Sequence, residues 1–354
     1  MDEPLIDLVK KAQKPAPVLT PESLLGVLRR GPQTIGELAA RFAASTTVIQ
    51  DLLVAMRDDG ANVLNLGDTW RVVHQPAPRA TEFIYESRPD NTYTFGVASD
   101  QHLCSKYERL DVLNDLYDWF EQEGVDRVFN AGNWIDGDDI KNQHDVAVWG
   151  FEPQVDYCVA HYPQRRGIAT YAVWGEDHEG WYSRREALDV GRFVERRFRD
   201  NGRTDWHDLG FMEAGVSLVN ANSGAVAPPL VVMHPGGGSS YAFSYRPQKI
   251  VEGLQGGEKP SVLLIGHYHK LSFNLIRSVW TIQSGCCQDQ TPFMRKKGLD
   301  AHIGGLIVTL TQDPETGAIA GCDISMRQFF NRGYSNNRWS RSGPVAKPEK
   351  TRMG

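Results

Sequence analysis

Histidines and acids or amides gather at five points along the chain, and each point follows a run of β-forming residues. Tyr93-Thr-Phe-Gly-Val97 leads into Ser-Asp100-Gln-His102, and Asp126 to Ala131 leads into Gly132-Asn133. Ile168 to Trp174 leads into Gly175-Glu-Asp177-His178-Glu179. Leu230 to Met233 stops at His234, and Ser261 to Ile265 stops at Gly266-His267-Tyr-His269. Side chains alternate along a strand, so residues two apart point the same way. Asp100 with His102, and His267 with His269, are therefore expected to face one cleft. Oxygen and imidazole donors on one side suit a divalent metal. A buried cluster of these histidines and carboxylates is hard to satisfy without cations. Two metals with three or four ligands each would use the whole set.

Strands that deliver ligands from their carboxyl ends need helices between them. The spacing predicts helices over Tyr107–Gly124, Pro153–Tyr162, Arg184–Asn201 and Arg246–Gly256. Asp208–Asn220 reads as two strands, and Val279–Gly285, Gly304–Leu310 and Ala318–Ser325 as three more, the last two joined by a turn at Gln312–Gly317.

Upstream, Thr20-Pro-Glu-Ser opens a helix with Thr at the N-cap and Pro at the first position. Thr34-Ile-Gly-Glu37 is a capping box that starts a second helix. Ser45-Thr-Thr starts a third, with Val48, Ile49, Leu52, Leu53 and Met56 at helical spacing. Two short strands around Gly67-Asp68 follow. Such a set reads as a winged helix-turn-helix, whose third helix ordinarily enters a DNA groove. Phosphate contacts need cations, yet residues 1–78 hold eight Lys/Arg against nine Asp/Glu. Gln50 and Arg57 are the candidate DNA contacts, and docking of a protein partner or a second copy stays open.

The expected layout is an arm over 1–19, the winged helix over 20–74, a Pro-rich linker over 75–92, the main domain over 93–326, and a tail over 327–354. The tail mixes Arg327, Arg332, Arg338, Arg341, Lys347, Lys350 and Arg352 with Phe329, Phe330, Tyr334 and Trp339, against one acid, Glu349. Cations for phosphates and rings for bases suit nucleic acid, with Arg338 and Arg341 as candidate contacts; a solvated tail is the alternative.

The 354 residues carry a net charge of −6, which excludes a wholesale basic nucleic-acid binder but not a local basic patch. The five cysteines form no C-x-x-C pair, so a zinc ribbon or disulfide scaffold is not expected and a reducing compartment is. The acidic start has no apolar leader, and no apolar run nears the ~20 residues of a membrane span. A cytoplasmic protein with no membrane partner is expected.

The ordered motifs Asp100-Gln-His102, Gly132-Asn133-Trp-Ile-Asp136, Gly175-Glu-Asp177-His178-Glu179, His234 and Gly266-His267-Tyr-His269 resemble those of the calcineurin-like metallophosphoesterases. The resemblance covers about residues 93–325. It implies a chain of α+β/α/β class built as a two-sheet β-sandwich flanked by helices, here preceded by the small winged-helix domain. It implies a first metal on Asp100, His102 and His269, and a second on Asp177, His234 and His267. Asn133 would bridge the two, and His178 would act as the acid near the leaving group. The metals would be divalent, Mn2+ first, with Mg2+, Fe2+ or Zn2+ as options.

Two departures stand out. The bridging position is ordinarily Asp and here is Asn133. The partner position before the histidine is ordinarily Asn and here is Asp177, with Glu176 inserted. Either Asp177 restores the charge that Asn133 gives up, or the centre is attenuated. Glu176, Glu179 or Asp136 are further acids within reach of the ligand shell. Asn142, His144, Trp181 and Tyr268 are candidate substrate contacts, with a solvated loop or simple packing as the alternatives.

Ser99-Asp-Gln-His-Leu-Cys-Ser-Lys106 resembles the DNA-repair exonuclease branch of that family, which makes a DNA nuclease the expected function. A small-molecule or cyclic-nucleotide phosphoesterase is one alternative. A catalytically weakened factor that binds nucleic acid or protein is another.

Overall fold

The computed structural model describes residues 16–58, 61–72 and 83–332. The chain divides into two compact units: the described residues up to 72 with Ala187–Asp189, and the described remainder from 83 onward.

The first unit runs α1 (Pro21–Leu28), β1 (Gln33–Thr34), α2 (Ile35–Phe42), α3 (Thr46–Asp58), β2 (Val63–Leu66) and β3 (Thr69–Val72). Its helices start where the capping residues stand. The Thr20 hydroxyl accepts the Ser23 N–H, and the Thr34 hydroxyl accepts the Glu37 N–H while the Glu37 carboxylate accepts the Thr34 N–H. Each such cap is worth ~1 kcal/mol. Leu24, Leu28, Leu38, Ile49, Leu53, Val63 and Trp70 fill the core. The strands form an antiparallel sheet in the order β1-β3-β2. Gln50 and Arg57 lie exposed on α3.

The second unit runs β4 (Phe83–Glu86), β5 (Thr92–Val97), α4 (Leu110–Gln122), β6 (Arg127–Asn130), α5 (Phe151–His161), β7 (Ala169–Trp174), α6 (Glu179–Glu186), α7 (Val190–Asp200), β8 (Trp206–Phe211), β9 (Glu213–Val219), β10 (Val226–Met233), α8 (Tyr245–Gly253), β11 (Val262–Ile265), β12 (Leu271–Ile276), β13 (Val279–Ser284), α9 (Pro292–Lys297), β14 (Ile303–Gln312) and β15 (Ile319–Phe329). Two six-stranded sheets result, β15-β14-β5-β6-β7-β8 and β12-β13-β11-β10-β9-β4. One core joins them: Phe95, Phe129, Leu306 and Leu310 from the first sheet meet Tyr85, Leu218, Leu230, Leu264 and Ile282 from the second. Each such buried side chain contributes ~1.5–3 kcal/mol. Outside the sandwich, α4 packs on β14 and α7 on β8.

Within each sheet the central strands are parallel: β5, β6, β7 and β8 in one, β10, β11 and β13 in the other. The ligand-type residues follow the carboxyl ends of β5, β6, β7, β10 and β11.

Several expectations need correction. Residues 75–92 are not all linker, because β4 pairs with β9 at a sheet edge. The segment from 327 is not all tail. β15 continues to Phe329, and Arg332 bonds Asp289 through Nε at 2.7 Å. The helix expected over Arg184–Asn201 is broken into α6 and α7, which leave out Ala187–Asp189, and Ala187 has a left-handed φ of 57°. β12 and α9 were not read from the sequence. Arg338 and Arg341 lie outside the described residues. Among the described residues no single helix is long and apolar enough to cross a membrane.

Candidate metal centre

The strand β5 ends at Val97, so the alternation argument for Asp100 and His102 does not apply. The backbone turns instead. Asp100, His102, Asn133, His178, His267 and His269 all have φ between 47° and 74°, the left-handed region. Non-glycine residues held there cost of order 1 kcal/mol or more, and such strain concentrates at functional sites. The kinks aim the side chains into one cluster.

Two ligand groups emerge. Asp100, His102 and His269 bring donor atoms within reach of one another, as do Asp177, His234 and His267. The His269 Nε2 lies 3.0 Å from the His102 Nε2 and 3.6 Å from Asp100 Oδ1. The Asp177 carboxylate spreads its oxygens, Oδ1 3.5 Å from His234 Nε2 and Oδ2 3.5 Å from His267 Nδ1. At 3.5 Å both contacts are too long for good hydrogen bonds. The Asn133 Oδ1 is buried with no hydrogen-bond partner among the described residues.

The tautomers follow from the outer partners. Nδ1 of His234 donates to the Ala131 carbonyl, and Nε2 of His267 donates to the Gly237 carbonyl at 2.7 Å. Nδ1 of His102 donates to the Asp136 carboxylate at 3.0 Å. A carbonyl or carboxylate can only accept, so the proton sits on the outer nitrogen and the lone pair faces the cluster. Metal-binding histidines are oriented in this way. His269 differs: its Nδ1 is buried with no such partner among the described residues.

Burial sets up a conflict of charges. It pushes the Asp100 carboxyl up to about 6 and holds the His102 and His269 imidazoles well below their usual range. Burial and the neighbouring His234 push His267 down to about 4. Burial also opposes charge on Asp177 and His234, but their mutual contact prevails: Asp177 is held well below the carboxylate range and His234 rises to about 9. On charge alone His234 therefore keeps a proton on Nε2 against Asp177; a divalent cation there would take that proton's place and leave the imidazoles neutral beside ionised carboxylates. The orphaned Asn133 Oδ1, His234 Nε2 and His267 Nδ1 give the same answer. The residues fit a two-cation centre.

Two glycines make room. A Cβ on Gly132 would lie 2.4 Å from His234 Nδ1, and one on Gly175 would lie 2.4 Å from His234 Cδ2. The ring of His234 is slotted between the two loops.

Asp136 and Glu179 are supports whose roles the motif spacing leaves undefined. The Asp136 carboxylate holds His102, and its carbonyl accepts Nδ1 of His178 at 2.7 Å. The buried Glu179 accepts the N–H groups of Asn133 (2.9 Å) and Gly175 (3.3 Å), tying the second loop to the third. Burial pushes its carboxyl up to about 7. An acid in the first turn of a short helix, two residues beyond Asp177, is the signal for this one.

The cluster opens into a cleft of about 430 Å³. Trp181 lines it and lies over His178, ring centroids 4.8 Å apart, and Tyr268 lines it beside His267. Asn142 lines it too, but its amide is spent on the Asp136 carbonyl at 2.7 Å, so it supports Asp136 rather than facing substrate. His144 is exposed and outside the cleft; its carbonyl accepts the Lys106 Nζ. Cys286 and Cys287 are buried.

No family model matches the chain, and no curated protein matches it. Solved structures do align with it. An archaeal phosphodiesterase has 14% identity and a TM-score of 0.36, with 67% of this chain and 100% of that one covered. The Vacuolar Protein Sorting 29 protein of Cryptosporidium parvum has 10% identity and a TM-score of 0.32, with 68% and 100% covered. A phosphoesterase-like protein of Streptococcus pneumoniae has 13% identity and a TM-score of 0.29, with 67% and 98% covered. At these scores the reading rests on the chain's own sheets and ligand geometry.

Proposed function

We propose that this protein is a metal-dependent phosphodiesterase of the calcineurin-like kind. The observation that carries the reading is the arrangement of His102, His234 and His267, each bonded outward through one nitrogen so that the other meets Asp100 or Asp177. Asp100, His102 and His269 would hold one divalent cation, Asp177, His234 and His267 a second, and Asn133 Oδ1 would face both. Two such cations would neutralise a phosphoryl group and lower the pKa of an attacking water. His178 gives its Nδ1–H to the Asp136 carbonyl, which leaves Nε2 for the substrate. Once protonated there, it passes that proton to the leaving oxygen as the phosphorus–oxygen bond breaks. Trp181 and the edge of His102 (ring centroids 4.3 Å from His178) fix the plane of that ring.

The substrate we favour is DNA, on the Ser99–Lys106 stretch and on the three helices and short sheet of the first unit, which we read as a winged helix. The metal we favour is Mn2+. A second reading rests on Asn133: an amide oxygen bridges two cations less well than a carboxylate, which would leave a binding factor with a weak centre.

Hydrolysis of bis-p-nitrophenyl phosphate with Mn2+, against the same protein in EDTA, tests the main reading. Metal-dependent turnover supports it, and His178→Ala should lose far more on a dinucleotide, whose alkoxide leaving oxygen needs a proton, than on this activated ester. No turnover with any of Mn2+, Mg2+, Fe2+ or Zn2+ overturns it.

A further inference from the structure

The helix α9 stands at the mouth of the cleft and is used by nothing described so far. Phe293 and Met294 both line the cleft, and Phe293 is 59% exposed. Arg295, Lys296 and Lys297 follow directly and are exposed, in a protein whose net charge is −6. No carboxylate among the described residues pairs with Lys296 or Lys297. Lys141 lines the cleft as well. Cations at a helix C-terminus answer the helix dipole, which accounts for the lysines but not for a bare ring beside them.

The helix is held firmly. Thr291 caps it, its hydroxyl accepting the Met294 N–H at 3.2 Å, and Gly298 ends it in the left-handed region. The loop before it is pinned to the centre, because the Cys287 N–H donates to the Asp100 carbonyl at 3.0 Å. Asp289 anchors the same loop by accepting from Arg109 and Arg332. A large exposed aromatic on so fixed a support is placed to meet a ligand rather than to await burial.

Phe293 is followed by lysines at positions three and four onward, the spacings that share one helix face. A ring with a cation one turn away matches a nucleobase and a phosphate of the same strand. Rings stack on any base, and lysines take backbone phosphates without reading sequence. Asp145 and Asp300 also line the cleft, so the anion path runs over α9 rather than through the whole mouth.

We infer that α9 is a platform for single-stranded nucleic acid: Phe293 stacks on an unpaired base near the scissile phosphate, while Lys296 and Lys297 bind backbone phosphates beside it. This rests on the phosphodiesterase reading and names its substrate as a polymer. A duplex keeps its bases stacked inside and cannot offer one to Phe293 at this point.

The test uses the full chain with Mn2+, a labelled single-stranded oligodeoxynucleotide, its duplex, and bis-p-nitrophenyl phosphate. The variants are Phe293→Ala and Lys296→Gln with Lys297→Gln. The expected result is a KM for the single strand raised about tenfold or more by each variant, with the small ester's kcat/KM within about twofold of wild type. The lysine pair should also flatten the salt dependence of oligonucleotide binding by a log–log slope of about one to two. Equal losses on both substrates, or none on the oligonucleotide, overturn the inference. So does a wild type that prefers duplex, or one that cuts the small ester but no oligonucleotide, and in those cases the phosphodiesterase reading stands. If wild type cuts neither, that reading falls, and oligonucleotide binding in EDTA decides α9 separately: anisotropy unchanged by both variants overturns it.

Discussion

Asp136 Oδ1 lies 3.0 Å from Nδ1 of His102, so one buried carboxylate decides which nitrogen of that imidazole faces the cluster. Asp136→Ala should lower metal affinity about 10–100-fold, the usual cost of losing such an outer partner. Asp136→Asn keeps an acceptor and should lose less. Titration of the purified protein with Mn2+, read by calorimetry, gives both values. Equal affinity in wild type and Asp136→Ala would show that His102 needs no orienting group.

The exchange of Asn133 with Asp177 can be tested by reversing it. If Asp177 supplies the charge that Asn133 lacks, the double variant Asn133→Asp with Asp177→Asn should hydrolyse bis-p-nitrophenyl phosphate within about tenfold of wild type. Asp177→Asn alone should lose 100-fold or more, since it leaves His234 and His267 without the carboxylate that sits 3.5 Å from each. A rise of tenfold or more in Asn133→Asp alone would mark the natural centre as attenuated.

Metal should stabilise the second unit. A ligand that binds only the folded chain adds about 2.7 kcal/mol at 100 times its Kd. Thermal unfolding after EDTA treatment, then with Mn2+ restored, should show a higher Tm with metal. The shift should vanish in Asp100→Ala combined with Asp177→Ala. A Tm indifferent to metal in wild type would count against the centre.

Arg332 should matter for stability rather than for nucleic acid. Its Nε donates to Asp289, which is fully buried and also pairs with Arg109. Arg332→Ala leaves that carboxylate one donor short and should cost about 1–3 kcal/mol in urea unfolding. An unchanged midpoint with weakened oligonucleotide binding would return Arg332 to the basic tail.

The centre was legible because its chemistry needs particular atoms, and those recur as short motifs after β-forming runs. Asp100, His102, His234, His267 and His269 come together on that signal alone. What it did not carry is how they meet. Asp100 and His102 converge through left-handed backbone, which alternation along a strand does not foresee. Asp136 holds His178 through its backbone carbonyl as well as His102 through its carboxylate, and Glu179 accepts a pair of backbone N–H groups; the backbone partners are ones that no side-chain motif announces. The edge strand β4 hid in a Pro-rich stretch, its four residues too few to show a period. The α6–α7 break begins at Ala187-Leu188, two good helix formers that carry no stop signal. α9 was missed because six residues carry too little pattern to separate a helix from a loop.

Each ligand group draws on both sheets. Asp100 and His102 follow β5 and Asp177 follows β7, on one layer of the sandwich; His234 follows β10, and His267 and His269 follow β11, on the other. A cation held by either group is therefore a rivet through the two layers at one edge. The layers cannot part there without first releasing it, much as a covalent crosslink must break before its chains separate. Loading the centre should then slow hydrogen exchange in β5 and β11 together, and the sandwich should open from the opposite edge first.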